Sequence, residues 1–178
     1  MTFDDIQLLY EYDRWANDRV LQSIAELSSE QFTRDLGGSF PSVRDTFVHI
    51  ISGEWIWLQY WKALHPGPAC LADLKTRREA LFNPAKFPTI AEVRSKWAEL
   101  EQEQSVFVNS LTDEAVVKMV PFRTTEVRLG RLMQHLANHS TYHRAQISLM
   151  MRQLGAKSIA TDFHEFVLAD PGGTRTKR

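Results

Sequence analysis

The sequence predicts an all-α fold, a four-helix bundle with a long crossover and a short C-terminal helix, and three observations support it. Four long segments keep their apolar residues at helical spacing. Three of them open on a hydroxyl residue with an acid three positions later, the pattern of a capped helix start. The last carries three of the six histidines at four-residue intervals, which stacks them along a helix rather than across a strand. With 178 residues the chain suits one domain over 1–170, and 171–178, beginning Pro171-Gly172-Gly173, reads as a disordered end.

The first segment, 3–27, is opened by Thr2 and Asp5, and Ile6, Leu9, Ala16, Val20, Ile24 and Leu27 form its apolar stripe. Asp13 falls on that stripe and Asn17 follows one turn on. Either both point at something inside, or the helix edge reaches solvent there. The second segment, 42–64, opens on Ser42 with Asp45 and stops at His65-Pro66-Gly67-Pro68. Val43, Phe47, Ile50, Ile51, Trp55, Ile56, Trp57, Tyr60 and Trp61 make it apolar on several sides, so it needs several neighbours. His49 lies inside it, with Gly53 one turn later. A mid-helix glycine costs roughly 1 kcal/mol relative to alanine. Close helix packing and clearance over His49 are the two readings that account for it.

Residues 65–88, with Pro66, Pro68, Pro84 and Pro88, read as the crossover connection. Within it His65 reads as a surface residue and Cys70, without a cysteine partner, as a bystander. The third helical segment, 89–111, opens on Thr89 with Glu92 and has a heavily charged face. Between 112 and 125, Val116, Val117, Met119, Val120 and Phe122 suit a short strand or hairpin. The fourth segment spans 128–154, with Gly155 where a C-terminal cap belongs, and a short docking helix follows over 162–168.

Bulk properties exclude several classes. The net charge of −1 gives no reason to expect a nucleic-acid or anionic-membrane surface. No apolar run approaches the ~20 residues needed to span a bilayer. The opening Met1-Thr2-Phe3-Asp4-Asp5 has neither the basic nor the apolar region of a signal peptide, so the cytoplasm is the expected compartment.

On the fourth segment Leu132, Leu136, His139, His143, Ile147, Met150 and Leu154 form one core-facing stripe. A buried imidazole without a partner is costly, so each histidine on the stripe needs a hydrogen bond or a metal ion. His135, His139 and His143 together span about 12 Å, too far for one ion to touch all three. An ion takes either His135 and His139 or His139 and His143 from this helix, and the stripe favours the latter. His49 is the candidate third ligand and His135 its competitor. His164, on the last short helix, can approach the site, but nothing in the spacing requires it. No His-Glu-x-x-His is present, nor a Glu-x-x-His pair, so the metalloprotease and di-iron arrangements are absent. What remains is one divalent ion on neutral imidazoles, able to acidify a bound thiol or water or to polarise a carbonyl. Three imidazoles suit zinc, nickel, copper and iron alike; one zinc or nickel ion per chain is the expectation.

Four stretches follow one another along the chain: Tyr12-Asp13-Arg14-Trp15-Ala16-Asn17, Gly38-Ser39-Phe40-Pro41-Ser42-Val43-Arg44-Asp45-Thr46-Phe47-Val48-His49-Ile50, Glu54-Trp55-Ile56-Trp57-Leu58, and Leu136-Ala137-Asn138-His139-Ser140-Thr141-Tyr142-His143-Arg144-Ala145-Gln146, closed by Leu154-Gly155. Together they resemble the DinB / YfiT-like superfamily of small metal-dependent proteins. Each is a weak motif; their order and spacing are what is specific, and they cover nearly the whole chain except the tail. The resemblance implies an up-down-down-up bundle, a homodimer, and a divalent metal on three histidines that fall here on His49, His139 and His143. It also implies S-transferase or isomerase relatives that use a low-molecular-weight thiol, beside many of unknown activity. Two positions depart from the family pattern, which has asparagine where Asp13 stands and glycine where Ala145 stands. Asp13 thereby brings a negative charge toward the site.

The leading expectation is a metal-dependent transferase or hydrolase that activates a thiol or water against a small electrophile. Asp13, Asn17, Glu54, His135, Tyr142 and Arg144 are candidates for orienting the ligands or touching substrate, although Arg144 also reads as a surface residue; no general base is assigned. The alternatives are a non-catalytic, stress-related metal-binding protein and a helical dimer whose core histidines are only hydrogen-bonded.

Overall fold

The computed structural model describes residues 1–63 and 67–169. The readings of His65 as a surface residue and of 171–178 as a disordered end fall outside them. Four long helices, α1 (Phe3–Ile24), α3 (Val43–Lys62), α5 (Ile90–Asn109) and α7 (Leu129–Gln153), form the bundle. Each of α1 and α3 packs against both α5 and α7, so the order around the bundle is α1, α7, α3, α5. Contacts set the directions. Tyr10 meets Met133 and Asn17 meets Arg144, so α1 and α7 run parallel. Thr46 meets Met150 while Glu54 meets Ser140, so α3 runs against α7. Phe47 meets Trp97 and Trp61 meets Phe107, so α3 and α5 run parallel. The bundle is up-down-down-up, as the family resemblance implies.

The helix starts follow their caps. Thr2 with Asp5 and Thr89 with Glu92 form reciprocal capping boxes, each satisfying two otherwise orphaned amides. At α3, Ser42 accepts from the Asp45 amide, but the Asp45 carboxylate pairs with Arg44 instead of reaching back. α3 is buried along most of its length, with Val43, Phe47, Ile50, Ile51 and Leu58 inaccessible to solvent, which matches its apolar circumference.

Three connections differ from the sequence reading. The crossover contains a helix, α4 (Pro68–Leu81), followed by a single 3-10 turn, Pro84–Lys86. Pro68 occupies its first turn, where the missing amide hydrogen costs nothing, so a residue that reads as a breaker starts a helix. A short α2 (Ser29–Thr33), capped by Ser28 and Gln31, follows α1. In the region read as a strand or hairpin, a short α6 (Asp113–Val117) precedes the hairpin of β1 (Met119–Phe122) and β2 (Thr125–Arg128). Those strands are antiparallel, with Met119 opposite Arg128 and Phe122 opposite Thr125. α8 (Phe163–Ala169) docks on α1 through Phe163 and Phe166, which pack on Tyr12. Among the described residues no helix is long and apolar enough to cross a membrane.

Candidate metal centre

The antiparallel packing of α3 on α7 brings His49, His139 and His143 together. Nε2 of His139 lies 3.1 Å from Nε2 of His49 and 3.2 Å from Nε2 of His143. Among the described residues this is the one cluster of three His, Cys, Asp or Glu side chains close enough to share an ion. Two nitrogens bonded at 2.0–2.1 Å to one zinc ion at a near-tetrahedral angle would be about 3.3 Å apart. The spacing fits a shared divalent ion. Burial, and then the closeness of the other imidazoles, hold His49 down to about 3 and His139 to about 4, from an ordinary 6.5. Both rings are therefore neutral at pH 7, the form that ligates.

The other ring atoms are treated unequally. Gln146 Oε1 lies 2.7 Å from Nδ1 of His143, so Nδ1 carries the hydrogen and Nε2 presents its lone pair to the cluster. Nδ1 of His139 is buried with no hydrogen-bond partner. Gly53 lies against that ring: a Cβ there would come within 3.1 Å of His139 Cε1 and 3.5 Å of Nδ1. The glycine gives clearance, but to His139 rather than to His49.

Aromatic rings border the cluster. Phe40 stacks on His49 at 3.9 Å between centroids and meets the ring of His143 edge-on at 5.6 Å. It stands just after Gly37 and Gly38, whose φ values of +77° and +95° are open to glycine without strain. Tyr142, 63 % exposed, lies edge-on to His143 at 5.1 Å, at the solvent border of the triad. His135 is exposed, packs edge-on against Trp57, and stays outside the cluster, with its ring 6.3 Å from that of His139. His164 on α8 is exposed beside Glu165 and is not part of it either.

A buried polar layer crosses all four long helices at the level of the triad. Arg144, 1 % exposed, donates to Asp13 at 2.5 Å and to Asn17 at 3.0 Å, and also to Thr141. Asn17 in turn donates to Asp13. Glu54, wholly buried, accepts from Ser140 on α7 and Gln104 on α5. Burial, and then the neighbouring Asp13 carboxylate, push Glu54 well above the ordinary carboxylate range and favour its protonated form. Asp13 and Asn17 thus face inward, and the helix edge there does not reach solvent. Arg144 is not a surface residue: it neutralises Asp13, whose charge does not stand free at the site. Ser140 and Arg144 are the chain neighbours of His139 and His143, so the layer fixes the histidine turn of α7 against α1, α3 and α5.

Four contributors escape the sequence reading. Gln146 lies one turn after His143, a spacing that marks it as a partner. Gln104 sits on the buried stripe Val93, Trp97, Leu100, Val108, the same signal that singles out Asp13. Ser140 lies next to His139 but off its stripe. Phe40 stacks from a loop, where no periodicity marks it.

The chain matches one family model, described as the DinB family, over residues 2–174. The chain belongs to the DinB family. It is 27% identical over 160 residues to "Protein DinB" of Bacillus subtilis (strain 168), covering 87% of this chain and 89% of that protein. Its fold also matches the crystal structure of a DinB-like protein from Bacillus cereus ATCC 10987. The TM-score is 0.66 over 89% of this chain and 97% of that one, and at 13% identity this is a likeness of fold alone.

Proposed function

We propose that this DinB family member is a metal-dependent transferase or hydrolase in which His49, His139 and His143 hold one zinc or nickel ion. The observation that carries the reading is the convergence of their Nε2 atoms at 3.1 and 3.2 Å around neutral imidazoles. A divalent ion held there supplies Lewis acidity, lowering the pKa of a thiol or water or polarising an electrophile. The chain's own residues do the rest. Gln146 fixes the tautomer of His143, Gly53 leaves His139 room to turn its Nε2 into the cluster, and the Asp13–Arg144 pair and Glu54 hold the histidine turn in register. Phe40 and Tyr142 flank the triad with aromatic surface, which suits a small substrate with an apolar body. Among the described residues the hydrogen bonds of the triad's rings run to one another and to Gln146, and no general base is assigned. A low-molecular-weight thiol is the proposed cosubstrate, the protein acting as a cytoplasmic homodimer.

The test is a panel of electrophiles (epoxides, alkyl halides, activated esters) with and without thiols such as cysteine. It compares metal-loaded with chelator-stripped protein. Turnover lost on stripping and regained on reloading supports the reading. Stoichiometric metal with no turnover across the panel would favour the non-catalytic metal-binding alternative.

A further inference from the structure

We propose that Arg78 of α4 anchors the carboxylate of a small substrate whose reacting group meets the histidine triad; the inference rests on the metal reading above. The crossover helix α4 packs on α3, the helix that carries His49. Leu74, Arg78 and Phe82 follow one another at four-residue spacing and so share one face at the end of α4. Leu74 and Phe82 are buried in the core that also holds Val48, Ile51 and Trp55 of α3. Arg78 stands between them on that α3-facing side and is half-buried. Among the described residues its guanidinium has no ion pair or hydrogen bond, whereas that of the adjacent Arg77 pairs with Asp73 and lies over Trp55.

A guanidinium on a packed face ordinarily finds a carboxylate, because removing its charge from water without a partner is costly. Its position adds a second cost. Burial, then the imidazoles of His143 and His139, then Arg78 hold His49 below its ordinary value, so the guanidinium lies within electrostatic reach of the triad. The same charge repels a divalent ion held there. An anion between the two offsets both costs. The planar fork of a guanidinium matches a carboxylate through two parallel hydrogen bonds. A phosphate, with three acceptor oxygens, calls for further donors; Arg77 is committed to Asp73 and Arg44 to Asp45. The substrate is then held at two points, its carboxylate on Arg78 and its thiol or electrophilic group at the ion.

The experiment is a calorimetric titration of the zinc-loaded full chain with mercaptoacetate, mercaptopropionate and mercaptobutyrate, each beside the mercapto alcohol of the same chain length. Zinc content is measured first, on wild type and on every variant. At least one acid should bind wild type about tenfold or more tighter than its alcohol. Arg78→Gln should bring that acid down to the level of the alcohol, with zinc content and the affinity for the alcohol unchanged, which a merely structural role would not do. Arg77→Gln, which removes the neighbouring charge, should keep the preference. A preference that survives in Arg78→Gln would come from chelation at the ion and would overturn the proposal. An equal loss in Arg77→Gln would overturn it too, since only the general field would then be at work. Zinc-loaded wild type without the preference overturns this inference alone, whereas wild type that takes up no zinc overturns it together with the metal reading.

Discussion

Gly53→Ala places a methyl group against the ring of His139, and the consequences have opposite signs for metal binding and for folding. The new Cβ would stand 3.1 Å from Cε1, 3.5 Å from Nδ1 and 4.0 Å from Nε2. Carbon atoms in ordinary contact sit about 3.5–4.0 Å apart, so the ring must retreat by roughly 0.4 Å or more. It cannot do so freely, because its Nε2 already lies 3.1 and 3.2 Å from the other two Nε2 atoms. A ligand set works only when held within about 0.5 Å of its geometry, so a displacement of this size consumes most of the tolerance. Affinity for zinc should fall about 10- to 100-fold, the usual effect of disturbing the support of a ligand. Folding gains instead: alanine is better in a helix than glycine by roughly 1 kcal/mol, which offsets the crowding. The metal-free variant should therefore unfold within about 1 kcal/mol of wild type. Competition against a chromophoric chelator measures the first quantity, and urea unfolding in EDTA the second. Unchanged zinc affinity would refute the clearance argument. A large loss of metal-free stability would refute it too, because close helix packing would then be the reason for the glycine.

Three further outcomes are expected. Asp13→Ala leaves the Arg144 guanidinium unpaired at a side chain 1 % exposed; urea unfolding should show a loss of about 3–5 kcal/mol, and Asp13→Leu with Arg144→Met should recover most of it. A loss under about 1 kcal/mol for Asp13→Ala would count against a buried ion pair there. Gln146→Ala frees the tautomer of His143 and should weaken zinc binding about tenfold with little change in metal-free stability, read by the same chelator competition. In EDTA, acid should destabilise the fold in a window set by His49 and His139. Their values in the folded chain, about 3 and about 4, lie below the ordinary 6.5, so the unfolded chain binds more protons in between. Their contribution is complete above pH 6.5 and is lost as the pH falls through 4 toward 3. A His49→Gln, His139→Gln double variant should show a shallower loss of stability from pH 7 to 4, and an identical slope would contradict the assignment.

The bundle was legible because its long helices carry period, caps and stops in the same places: Thr2 and Asp5, Ser42, Thr89 and Glu92 all cap as their spacing indicates. α4 was not legible, because it buries only Leu74 and so has little apolar period, and because its one proline, Pro68, marks a helix start as readily as a break. Within the site, His139 and His143 stand out as imidazoles on an apolar stripe, and His49 as another inside an apolar helix. The choice of His143 over His135 follows from the same stripe, which turns His135 toward Trp57 and solvent. Arg144 misleads, since a lone arginine on a helix usually faces water; its burial needs Asp13 and Asn17, 131 and 127 residues away in the chain. Gly53 shows the limit most clearly. Sequence can say that a mid-helix glycine protects something, but which ring lies across from it depends on how α3 sits on α7.

The most direct test of the account is the metal content of tag-free protein by mass spectrometry, wild type beside His143→Ala, with circular dichroism to show that both are folded. The account predicts close to one zinc or nickel ion per wild-type chain and a loss of that ion in the variant. A folded wild type that takes up no ion after incubation with zinc or nickel, or a variant that keeps a full complement, would contradict it.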